Sequence, residues 1–83
     1  MKRVTIVYQG RNGDIEAHKP GCRDLQRASL DSPTEDFEYE NEDDLSRQIS
    51  TAIVGDLESA IAETGNPNGG WYVQNWMPCT KHL

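Results

Sequence analysis

Several features that would assign this chain at sight are missing or scarce. No segment approaches the ~20 apolar residues that cross a bilayer. The stretch from Val4 to Tyr8 behind Lys2 and Arg3 is too short for the apolar part of a signal peptide. The expectation is a cytoplasmic protein with no membrane partner. Large apolar side chains are few: one Phe, two Trp and three Tyr in 83 residues that are 35% hydrophobic. That is lean but sufficient for a fold, since disordered chains are poorer in aromatic and β-branched residues. A chain this short builds one core, so residues 1–83 read as a single domain. Positive charge is also scarce: eight Lys and Arg face fourteen Asp and Glu, a net charge of −6. Direct nucleic-acid binding is thereby disfavoured, because affinity for phosphates comes from Lys and Arg displacing counterions. Nothing matches a phosphate-binding glycine loop, a serine triad or paired catalytic acids, so no enzymatic activity is expected.

The charge that is present is polarised. Residues 1–30 hold six basic and three acidic side chains (+3), residues 31–83 two and eleven (−9). Such a field steers a basic partner or a second copy of the chain, so a homodimer is one expected form. The segment from Glu35 to Asp44 carries seven carboxylates in ten positions. Asp36, Glu38 and Glu40 alternate there with Phe37 and Tyr39, which predicts a short strand with one wet face. Those three acids are candidate contacts for a basic macromolecule; the alternative is a solvated strand edge that prevents aggregation.

Periodicity predicts the other elements. Residues 3–9 alternate and are β-branched, with Val4, Ile6 and Tyr8 on one face. Asn12-Gly13 is a turn signal, and Ile15 and Ala17 resume the alternation, so a hairpin of 3–9 and 14–18 is expected. A short helix over 22–30 follows, ended by Pro33. Asn41 with Glu42, Asp43 and Asp44 has the form of a helix start. The spacing of Leu45, Ile49, Ala52, Ile53, Leu57, Ala60 and Ile61 predicts one long helix closed by Gly65. Gly55 inside it costs about 1 kcal/mol relative to Ala and marks a close packing contact or a kink. A last strand is expected over 71–77, with Trp71, Tyr72 and Trp76 in the core. The order β-β-α-β-α-β describes an α+β domain of two layers, a mostly antiparallel sheet of about four strands with one long and one short helix.

Two cysteines and two histidines carry the remaining chemistry. His18 and Cys22 are separated by three intervening residues, Cys79 and His82 by two, and each pair sits where a predicted strand gives way to a turn. Brought together, the pairs would form the thiolate and imidazole set that zinc prefers. The gain for so small a domain is large, since structural zinc contributes on the order of 10 kcal/mol to folding. Three other readings stand beside it: small buried cysteines with surface histidines, a Cys22–Cys79 disulfide, and a reactive thiol at Cys22 for a redox or enzymatic role.

His18-Lys-Pro-Gly-Cys22-Arg-Asp24-Leu25 and Pro78-Cys79-Thr80 resemble a group of small proteins encoded by phages of actinobacteria, notably mycobacteriophages. The resemblance takes in His18, Cys22 and Cys79 and does not extend to His82. It implies a bacterial host cytoplasm and an accessory role, and brings no activity with it. The expected function is an acidic accessory protein that binds a host or phage protein without catalysis. The alternatives are a small zinc-binding regulatory domain and a thiol element centred on Cys22.

Overall fold

The computed structural model describes residues 1–10, 13–22, 33–67 and 69–82. The expected helix over 22–30 therefore lies, beyond Cys22, outside the described residues. The fold is α+β, in two compact units: Met1–Glu38 with Val73–Leu83, and Tyr39–Tyr72.

The first unit holds the sheet, apart from Tyr39 at the end of its third strand. Strands β1 (Lys2–Val7), β2 (Glu16–His18), β3 (Thr34–Tyr39) and β4 (Asn75–Trp76) lie in the order β3-β1-β2-β4. The β-branched run of β1 suits an interior strand, and Val4, Thr5, Ile6 and Val7 are all buried. Both faces of β1 are therefore covered, whereas the alternation predicted one. β1 and β2 pair antiparallel, with Thr5 opposite His18 and Val7 opposite Glu16. The turn between them places Gly13 at φ +76°, where a glycine is favoured. β4 joins β2 in parallel, Glu16 against Asn75 and Ala17 against Trp76. The sheet is thus mixed.

The expected strand over 71–77 shrinks to two residues. Gln74 explains why: its N–H donates to the Ile15 carbonyl at 2.9 Å while its side chain accepts from the Ile15 N–H at 2.9 Å. One residue thus clamps the start of the pairing from both sides. Trp76 is exposed and Trp71 and Tyr72 are half-buried, so the three do not form the expected core cluster.

The second unit contains α1 (Glu42–Val54) and α2 (Leu57–Thr64). Asn41 caps α1 as predicted, its side-chain oxygen accepting from the Asp44 N–H at 2.9 Å. The single long helix is corrected to two. Gly55 turns left-handed at φ +89° and donates to the Thr51 carbonyl, and Asp56 returns to extended backbone to cap α2. Leu45, Ile49 and Ala60 are buried, while Ile53, at the break, is exposed. Among the described residues no helix is long and apolar enough to cross a membrane.

Candidate metal centre

The end of β2 and the turn after it set the geometry. Lys19-Pro20-Gly21-Cys22 closes through a hydrogen bond from the Cys22 N–H to the Lys19 carbonyl at 3.0 Å. Pro20 suits the first corner, and Gly21, at φ +78°, supplies the positive φ of the second, as a type II turn requires. The turn brings Cys22 back beside His18. On the other side, β4 runs parallel to β2, so both segments leave the sheet at the same end. The Met77 N–H continues the pairing by donating to the Ala17 carbonyl at 3.0 Å. Pro78 then opens a 3-10 turn, Pro78–His82, held by the N–H and hydroxyl of Thr80 on the Met77 carbonyl. Cys79 thus reaches the loop that carries Cys22. Its sulfur accepts from the Lys19 N–H at 3.3 Å.

A ring nitrogen of His18 and the sulfurs of Cys22 and Cys79 all lie within 4.8 Å of one another. A zinc ion about 2.0–2.3 Å from each donor would need them roughly 3.5–3.8 Å apart, so closure by at most about 1.3 Å suffices. Both cysteines are free thiols and half-buried. Burial and the adjacent Cys22 thiol push the Cys79 thiol up, against the opposing pull of the Lys19 N–H. His18 is 1% exposed. Its Nε2 lies 3.3 Å from Oε1 of Glu16. Its Nδ1 is buried without a hydrogen-bond partner among the described residues. An orphaned buried nitrogen is costly unless something fills its lone pair, and a metal ion does so.

Of the four residues proposed as ligands from the sequence, three converge. The backbone of His82 ends the 3-10 turn, and its side chain lies outside the described residues. Glu16 escaped the sequence reading, although its place two positions before His18 on a strand puts both side chains on one face.

The acidic strand is displayed as expected, with Asp36, Glu38 and Glu40 exposed and Tyr39 buried. Its carboxylates are engaged within the sheet. Asp36 accepts from the Thr5 hydroxyl, Glu38 pairs with Arg3 at 3.0 Å, and Glu35 accepts from the Tyr8 hydroxyl at 2.7 Å. Burial and that carboxylate push the Tyr8 phenol up. Glu40 contributes its N–H, donated to the Asp44 carboxylate at 3.0 Å.

No protein-family model, curated protein or solved structure matches the chain. The likeness to actinobacteriophage proteins is therefore an expectation from its motifs.

Proposed function

We propose that this chain is a small zinc-binding domain in which His18, Cys22 and Cys79 hold a structural ion. The observation that carries this reading is a buried His18 that has one ring nitrogen within 4.8 Å of two free thiols and an Nδ1 without a hydrogen-bond partner among the described residues. Softness of the donors favours zinc over hard cations, because thiolate and imidazole suit zinc whereas magnesium and calcium take oxygen. The donors come from the end of β2, the following turn and the C-terminal 3-10 turn, so one ion would join segments some sixty residues apart in sequence. Closing so long a loop restrains the unfolded chain, and the binding free energy becomes folding free energy. The role that follows is regulatory or adaptor-like, with the ion as a staple.

Metal analysis of protein purified without added zinc tests this directly. One zinc per chain is expected, lost in Cys22→Ser and in Cys79→Ser. Metal-free protein whose thermal midpoint ignores both zinc and chelator would remove the site. A His82→Ala variant assigns the fourth position, by weaker binding if His82 fills it and by unchanged binding if water does.

A second reading, contact with a basic protein through Asp36 and Glu38, is favoured by one observation. A pocket of about 280 Å³ lined by Arg3, Pro20, Asp36, Phe37 and Glu38 opens over the acidic strand. That is below the usual size of a small-molecule site and suits a single side chain. Charge reversal at Asp36 and Glu38 would abolish capture of a basic partner if this surface makes the contact, and would leave zinc binding intact.

A further inference from the structure

Glu16 and His18 face the same way from β2, and both are buried, 5% and 1% exposed. Bulk water does not compete for the contact between them. A carboxylate accepts hydrogen bonds and donates none, so Oε1 at 3.3 Å favours the tautomer with the ring proton on Nε2. That tautomer leaves the lone pair on Nδ1, the atom with no hydrogen-bond partner among the described residues.

The space for this carboxylate is left by Gly10. The turn holds Gly10 in place, its N–H donating to the Asp14 carbonyl at 2.8 Å and its carbonyl accepting from the Gly13 N–H at 3.0 Å. A Cβ on Gly10 would stand 2.6 Å from Oε2 of Glu16 and closer still to the carboxyl carbon. Gly10 is not one of the glycines at positive φ. Its backbone would accept another residue, and the Glu16 side chain is what a Cβ would meet. That side chain is flexible at its far end, so the cost of a methyl group is displacement of the carboxylate and not collapse of the turn.

We infer that Gly10 and Glu16 form the outer layer of the metal centre: Gly10 leaves room for the Glu16 carboxylate, and Glu16 holds His18 as the Nε2–H tautomer, so that Nδ1 is the metal-binding atom before any ion arrives. The inference rests on the zinc reading and adds to it the choice of nitrogen and the two positioning residues. Carboxylate partners of this kind fix the orientation of a ligating imidazole and raise its basicity, and their loss typically costs 10–100-fold in metal affinity.

Two measurements on the full chain test it, with Glu16→Gln, which keeps the shape and removes the charge, and with Gly10→Ala. Zinc affinity, read by competition with a chromophoric chelator, is expected to fall 10–100-fold in both. Long-range ¹H–¹⁵N spectra of the imidazole in zinc-free protein are expected to show the Nε2–H tautomer of His18 in the wild type and a mixture in Glu16→Gln. Wild-type zinc affinity in a folded Glu16→Gln variant would overturn the inference, as would an Nδ1–H tautomer in the wild type. Should Gly10→Ala fail to fold, Glu16→Gln carries both measurements. If the wild type binds no zinc, the zinc reading fails by itself. The imidazole spectra then still decide the role of Glu16: a tautomer that Glu16→Gln disturbs supports it, and an undisturbed one overturns it.

Discussion

His18 and Ser50 are both buried polar side chains, 1% and 0% exposed, and they are treated differently. Ser50 is fully used: its hydroxyl donates to the Gly69 carbonyl at 2.7 Å and accepts from the Trp71 N–H at 2.8 Å. It ties the loop after α2 back to α1. Ser50→Ala would strand a carbonyl and an N–H together, so a loss of about 1–3 kcal/mol is expected in chemical denaturation. His18, in contrast, keeps one nitrogen without a hydrogen-bond partner among the described residues. On the zinc reading, that nitrogen is where the ion would bind. From the sequence, the ligand types and their spacing were readable at His18, Cys22 and Cys79. The Glu16 contact was not, because a lone Glu in a short strand is ordinarily a solvated one.

At the scale of elements, local signals worked where one residue controls the backbone. Asn41, Gly65 and the Pro20-Gly21 turn act as their chemistry predicts. Periodicity misled at Gly55, because apolar spacing carried on across a position where the backbone turns left-handed. The signal for the break was the pair Gly55-Asp56, a C-terminal cap followed by an N-terminal cap. Asp56 accepts from the N–H of Ser59 at 2.7 Å and from its hydroxyl at 2.9 Å, and these bonds hold its carboxyl below the usual carboxylate range. A depressed carboxyl stabilises the fold above its unfolded pKa, about 4, and the contribution is lost as pH falls through the folded value. The thermal midpoints of wild type and Asp56→Ala should therefore differ at neutral pH and converge in acid. A difference that stays constant down to pH 2 would show that the cap does not depend on ionisation.

For the whole molecule, the acidic composition and the proposed staple bear on different problems. A net charge of −6 opposes association between copies but adds self-repulsion within the fold. The three candidate donors all belong to the unit formed by residues 1–38 and 73–83, and none of them lies in the unit of residues 39–72. Hydrogen exchange with and without a chelator should locate the effect: protection falls at β4 and in the 78–82 turn, and changes least in α1 and α2. Uniform loss across both helices would mean that the ion supports the entire chain and not one junction. The sequence alone determined the α+β class, the turn that presents Cys22 and the donor types, because each follows from neighbours within a few residues. Only the tertiary structure decided that β4 lies parallel to β2, which sends Cys79 to the same end of the sheet as Cys22 and buries His18 with Glu16. Pairing direction between segments sixty residues apart leaves no periodic trace in either one, so no local pattern could have shown it.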